Sequence, residues 1–237
     1  MDWLPDGWKP KLVAVDIDGT LTDGNKVLNL EAIEALRKLE RAGIPVTLAT
    51  GNVRPITYGL WRFIGLSGPM CCENGGVIWH PDWGDPILRA KAETAKEAAS
   101  YLAQEMPELR PKGIRSNDWR ESEWCLFPNE DLETIRELMS DDKWSHLEVV
   151  RTGFAIHLME PQLSKGEGLK VILDKMGLTE RDLLVVGDAP NDISMFELAN
   201  WSVAVGGAFE EIKKLADVES PYMHGDTFKP LVDAILG

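Results

Sequence analysis

The chain has 237 residues, 44% of them hydrophobic and 27% charged, with a formal net charge of −14 at pH 7. That length suits one large domain or two modest ones, and the acidic balance excludes the basic footprint that non-specific nucleic-acid binding needs. No apolar run approaches the length of a membrane span, so neither nucleic acid nor membrane is expected as a partner.

The start, Met1-Asp2-Trp3-Leu4-Pro5-Asp6-Gly7, lacks the basic end and apolar core of a secretory signal. Cys71, Cys72 and Cys125 make an odd count with an adjacent pair, a poor disulfide framework, so a reducing cytoplasm is expected. His80, His146, His157 and His224 are scattered and no Cys-x-x-Cys occurs, which argues against zinc. Each histidine is expected at the surface or half-buried. A small anionic substrate remains compatible with the acidic charge, because it needs only a metal ion, a helix start or one lysine.

Leu12-Val13-Ala14-Val15 reads as a strand buried on both faces of a parallel sheet. Residues 30–42 carry apolar side chains at helical spacing, with Asn29 to cap the start and Gly43 to stop the end. A second buried strand is expected over 45–49, a helix over 53–64 ended by Gly65, and a third short strand over 69–72. Val77-Ile78-Trp79 can return as a hairpin through the Asn74-Gly75-Gly76 turn.

From Pro81 the rhythm changes. A helix over 93–104, half-polar segments over 122–127 and 147–160, and a helix over 130–139 suggest an antiparallel sheet with one face wet. Residues 81–160 are therefore read as a smaller α+β module inserted between 1–80 and 161–237. After Pro161 strand and helix alternate again: a helix over 165–176, a strand over 183–186, a short helix to 199, a strand over 201–205, then helices over 209–215 and 227–236. This is the pattern of an α/β, doubly wound parallel sheet.

Parallel strands present their carboxyl ends at one edge, where such sheets bind ligands. The first strand ends in Asp16 and Asp18, the second in Thr50-Gly51-Asn52, and a late one in Asp188, Asn191 and Asp192. Asp-x-Asp-Gly alone also fits a plain Asx-rich turn. The calcium-loop alternative fails locally, because Thr20-Leu21-Thr22 follow. Four aspartates at one edge cannot all stay ionised without a cation, and all-oxygen ligation suits Mg²⁺. Thr50 with Gly51 offers a hydroxyl and backbone N–H groups as a phosphate cradle, though a plain helix cap is the simpler role for Thr50 by itself. Ser164-x-x-Glu167 fits a capping box that places Lys165 in a first helical turn. Phosphoryl transfer to a carboxylate fits this set: Asp16 as nucleophile, Asp18 as acid and base, the metal on Asp16, Asp188 and Asp192, and Thr50 and Lys165 on the phosphoryl oxygens.

Asp16-Ile17-Asp18-Gly19-Thr20, then Thr50, Lys165 and Gly187-Asp188-Ala189-Pro190-Asn191-Asp192, resemble the motif set of the haloacid dehalogenase-like phosphatases. The inserted module resembles the cap of the Cof-like branch, and its size resembles the archaeal phosphoglycolate phosphatases most. The resemblance implies a Rossmann-like core, hydrolysis of 2-phosphoglycolate to glycolate and phosphate, and Mg²⁺ on Asp16, Asp18, Asp188 and Asp192. Ala189-Pro190 departs from the Ser-containing loop expected there. A sugar-phosphate phosphatase or phosphomutase, or a non-catalytic phosphate-binding module, are the alternatives. The partner is a small phosphorylated metabolite, and the chain a monomer or homodimer. Arg115, Arg120 and Arg151 are candidates for a substrate carboxylate, and Trp119, Trp124 and Trp144 for lining a pocket or packing the cap.

Overall fold

In the computed structural model, which describes residues 2–237, the apolar run Leu12–Val15 forms β1 at the centre of the larger sheet. All four side chains are buried, as a strand with neighbours on both edges and helices on both faces requires. The chain continues through α1 (Leu30–Arg41), β2 (Val46–Leu48), α2 (Arg54–Ile64), β3 (Met70–Cys72), β4 (Val77–Trp79) and β5 (Ile87–Leu88). Next come α3 (Ala92–Glu105), β6 (Trp124–Leu126), α4 (Leu132–Met139), β7 (Glu148–Arg151) and β8 (Ile156–Met159). The last stretch is α5 (Lys165–Met176), β9 (Leu183–Gly187), α6 (Ile193–Leu198), β10 (Trp201–Gly206), α7 (Glu210–Leu215), β11 (Val218–Met223) and α8 (Phe228–Leu236).

The larger sheet has the order β11-β10-β9-β1-β2, and every pair is parallel. Because β1 lies between β2 and β9, the carboxyl ends of strands far apart in sequence meet beside it. The ladder runs right up to the first aspartate, whose backbone N–H donates to Val186 O at 3.0 Å. The main core gathers β1, β9 and β10 with α1, α5 and α8. The fold is thus α/β, with a smaller α+β unit inserted.

Three strands depart from the expectation, among them β5, a short addition to the hairpin of β3 and β4. β3 does not extend the parallel sheet; it touches Ala49 through a single bridge and instead leads the antiparallel sheet β3-β4-β5. β11 was absent from the sequence reading because Pro221 interrupts it. A proline is tolerated there because β11 is an edge strand, with one side of its backbone unpaired.

The inserted unit has its own antiparallel sheet, β6-β8-β7, under α3 and α4. Alternation sorts its side chains into two sets. Trp124, Leu126, Ile156 and Leu158 face the helices, with Trp144 packed among them. Cys125 and His157, directly paired across β6 and β8, face the other way. That second face was expected to be wet. Instead it is buried against the loops of the larger core, and His157 and Glu123 are fully buried. The expectation of a surface or half-buried His157 is corrected accordingly.

Candidate active site

Asp16 follows β1, Asp188 follows β9, and Lys165 opens α5. Ser164 caps that helix by accepting the Glu167 N–H at 3.2 Å, which fixes where the lysine projects. Lys165 Nζ donates to Asp16 Oδ1 and to Asp192 Oδ1, both at 2.6 Å, with its side chain fully buried. A lysine is rarely buried this way unless carboxylates meet it. Asp192 also accepts the backbone N–H groups of Asp188 at 2.9 Å and Ala189 at 3.1 Å on Oδ2. One of its oxygens thus shapes the loop while the other meets the ammonium.

Asp16, Asp188 and Asp192 bring carboxylate oxygens within 4.8 Å of one another. Burial pushes the Asp16 carboxyl well above its ordinary range; Lys165 opposes this, while Asp192 and Asp188 add to it. Asp188 is pushed up to about 6 by burial and by Asp192, against a hydrogen bond from Thr20 Oγ1 at 3.0 Å. Burial works against the charge of Lys165, yet Asp16 and Asp192 hold its proton more tightly than usual. Three carboxylates around one ammonium leave excess negative charge, and the donors are all oxygen. That set fits a hard divalent cation.

Asp18 stands apart from this group of three and accepts Asn52 Nδ2 at 2.6 Å. Thr50 Oγ1 accepts both the Asn52 N–H at 3.0 Å and Nδ2 at 3.2 Å. Thr50 is thus the anchor of the turn that carries Gly51 and Asn52; the residue that caps α2 is Val53. Gly19 adopts φ +90°, a left-handed conformation, and the position of a side chain there is taken by the Asp188 carboxylate. The sharp turn and the close approach of Asp188 explain why glycine follows the aspartate pair.

Asp16, Asp18, Gly51, Asp188 and Asn191 all line one cavity of about 320 Å³. The β7–β8 turn of the inserted unit, Thr152-Gly153-Phe154, forms its opposite wall. The expected site residues are therefore brought together, with Lys165 and Asp192 directly beneath the lining. The arrangement pairs an ammonium-braced carboxylate with a second, separately held carboxylate over one cavity. It can support attack by one and proton transfer by the other.

A family description, haloacid dehalogenase-like hydrolase, matches residues 13–115 and 121–227. The chain belongs to the haloacid dehalogenase-like hydrolase family. It is an enzyme of the phosphoric monoester hydrolase type. A relative named phosphoglycolate phosphatase from Archaeoglobus fulgidus is 37% identical over 219 residues, 92% of this chain and 94% of that one. Another of that name, from Methanothermobacter thermautotrophicus, is 36% identical over 227 residues, covering 96% and 99%. Among solved structures, Thermoplasma acidophilum 0175 superposes with a TM-score of 0.87 at 28% identity, covering 97% of this chain and 99% of that one.

This haloacid dehalogenase-like hydrolase also carries a buried polar junction that sequence reasoning missed. Arg120, a candidate for a substrate carboxylate from the sequence, is instead buried among protein groups; its guanidinium pairs with Glu123 and donates twice to Gly51 O at 3.1 Å. His157 Nδ1 meets Glu123 Oε2 at 2.9 Å and Nε2 meets Thr152 Oγ1 at 3.1 Å. Since Glu123 is an acceptor, Nδ1 carries the proton. Asn74 joins the two units, with Nδ2 donating to Glu123 Oε2 at 3.4 Å and Oδ1 accepting Asn191 Nδ2 at 3.3 Å. Glu123, Cys125 and His157 come as close together as metal ligands do. The Arg120 guanidinium and the His157 proton already hold Glu123, however, and burial pushes the Cys125 thiol well up, keeping it protonated. The one signal for this junction in the sequence is the charged Arg120-Glu121-Ser122-Glu123 run directly before β6.

Proposed function

We propose that this enzyme is a Mg²⁺-dependent phosphatase that hydrolyses 2-phosphoglycolate to glycolate and phosphate through an aspartyl-phosphate on Asp16. The observation that carries the reading is the buried Lys165 bridging Asp16 and Asp192, with Asp188 beside them and Asp18 over the same cavity. The substrate assignment draws on the relatives named phosphoglycolate phosphatase.

Lys165 opposes the proton that burial favours on Asp16 and holds Oδ1, so that the other carboxylate oxygen attacks phosphorus. Asp18 gives a proton to the leaving glycolate oxygen, then takes one from the water that attacks the aspartyl-phosphate. Phosphate leaves and the Asp16 carboxylate is restored. Asn52 holds Asp18 in place for both transfers. Thr50, Gly51 and Asn191 shape the cradle for the phosphoryl oxygens.

Mg²⁺, when bound, would neutralise charge building on the phosphoryl group. Asp16, Asp188 and Asp192 are the carboxylates that would hold it, their oxygens lying within 4.8 Å of one another. Asp192 also ties the Lys165 ammonium and the loop backbone to that group. The Asp18 carboxylate, counted as a ligand from the sequence, is turned to Asn52 and serves proton transfer. Residues 81–160 serve as the cap that selects substrate, over a core of 1–80 and 161–237. A cytoplasmic setting keeps the three buried thiols free.

The test is phosphate release from 2-phosphoglycolate beside a panel of sugar phosphates, with Mg²⁺ and again with EDTA. Metal-dependent release strongest on 2-phosphoglycolate supports the assignment. Release spread over the sugar phosphates moves the function to a broader phosphatase, and no release from any of them overturns it.

A further inference from the structure

The cavity over Asp16 is walled mainly by carboxylates, glycines and two phenylalanines, Phe154 and Phe209. A substrate that is a phosphorylated acid brings a second negative group into it. Burying that group needs a cation beyond the phosphate cradle. Lys165 is spent on Asp16 and Asp192. The arginines that the sequence suggested are engaged elsewhere or lie outside the cavity: Arg120 holds Glu123 and Gly51, Arg151 donates to Glu130 O at 2.6 Å, and Arg115 does not line it. His224 gives its Nδ1 proton to Gly19 O at 2.6 Å.

One side chain is left. Lys26 is the single lysine or arginine among the described residues that line the cavity. It stands on the tip of a tight turn that follows the first aspartate pair. Thr22 and Leu28 bridge the base of the turn. Asp23 Oδ1 accepts the N–H groups of Asn25 at 2.8 Å and Val27 at 3.0 Å, and Asp23 O accepts the Lys26 N–H at 2.9 Å. Lys26 itself adopts φ +62°, a left-handed conformation that glycine or asparagine fills with less strain. A strained lysine on a rigid turn points to a use for its side chain. Its Nζ lies 5.5 Å from the centroid of the Phe154 ring, on the facing turn of the inserted unit. The ammonium therefore spans the cavity mouth from the core side to the cap side.

We propose that Lys26 binds the carboxylate of the substrate at this mouth and so selects a phosphorylated acid over a neutral phosphomonoester. Lys26 is exposed at this mouth with the Phe154 ring beside its ammonium, so an arriving carboxylate meets a cation already placed at the cavity with an apolar wall next to it. The inference rests on the phosphatase reading of the site and adds what the cap and core recognise together.

The test compares kcat/KM for 2-phosphoglycolate with kcat/KM for ethyl phosphate, which carries no carboxylate, in the unaltered enzyme, Lys26→Met and Lys26→Arg. Methionine keeps the apolar stem over Phe154 and removes the charge. The ratio of the two is expected to fall about tenfold in Lys26→Met, through KM for 2-phosphoglycolate, and to recover in Lys26→Arg. A ratio in Lys26→Met within about twofold of the unaltered enzyme, whether both rates hold or both fall together, overturns the assignment. Failure of the unaltered enzyme to release phosphate from 2-phosphoglycolate at all overturns the parent reading, and this inference with it.

Discussion

Replacing Lys165 by methionine probes the centre of the site without touching a reacting atom. Methionine fills similar volume but leaves Asp16 and Asp192 buried, close together and uncompensated. Two charge-assisted hydrogen bonds at 2.6 Å are lost, and removing one partner of a buried ion pair costs about 3–5 kcal/mol. Urea unfolding in EDTA at pH 7 measures this directly. The loss should shrink at pH 5. Without the ammonium the folded-state pKa of Asp16 rises further, and a carboxyl whose folded pKa is raised destabilises the fold as pH climbs through that range. A proton on Asp16 then substitutes in part for the missing cation. Adding Asp192→Asn should recover part of the loss, because the asparagine oxygen still accepts the Asp188 and Ala189 N–H groups while the second charge is gone. A well-folded Lys165→Met that loses less than about 1 kcal/mol at pH 7, with no pH dependence beyond that of the parent, would refute the bridging role.

Glu73 should make the fold less stable as pH rises. Burial and the nearby Glu123 push its carboxyl up to about 7 against Arg120 and Ser122, so the contribution present in acid is lost from roughly pH 5 to 8, by about 3 kcal/mol at most. Glu73→Gln should flatten that slope in urea titrations, since an amide oxygen can still accept the Ser122 N–H and hydroxyl. Mg²⁺ at 100 times its Kd should raise stability by roughly 2.7 kcal/mol, seen as a higher Tm. Asp188→Asn should abolish that shift, and an unaltered shift would remove Asp188 from the metal site. Arg120→Met should cost about 1.5–3 kcal/mol and lower kcat/KM as well, because the same guanidinium holds the Gly51 carbonyl of the cradle. A stability loss with unchanged kinetics would confine Arg120 to a structural role.

The catalytic half of the molecule is legible in the sequence because it is built from strands buried on both faces. A continuous apolar run such as Leu12–Val15 has one plausible place in a parallel sheet, and the polar residue after it falls at the ligand edge. Asp16, Thr50 and Asp188 are placed by that rule alone. The junction between the two units is not legible in the same way. Alternation in β6 and β8 shows that Cys125 and His157 share a face, but not what covers it. A polar face turned to water and a polar face turned to another buried polar surface have the same sequence pattern. Nothing in the sequence separates Arg120 and Glu123 from surface charges for this reason, and only their partners, Gly51 and His157, show where they lie. The metal set is legible only in part for a related cause. Four aspartates at one edge imply a cation, whereas which oxygens remain free depends on Lys165, Asn52 and two backbone amides. Lys26 escaped notice because a left-handed turn residue ten positions past Asp16 belongs to no strand or helix.

The most direct test of the account is to catch the phosphoryl group on the enzyme. Asp18→Asn, which slows the second proton transfer, is mixed with 2-phosphoglycolate and Mg²⁺, quenched in acid, digested and weighed by mass spectrometry. A phosphoryl adduct on the peptide that carries Asp16, absent in Asp16→Asn and absent with EDTA, is the predicted result. Phosphate release by a folded Asp16→Asn enzyme at the parent rate would contradict it.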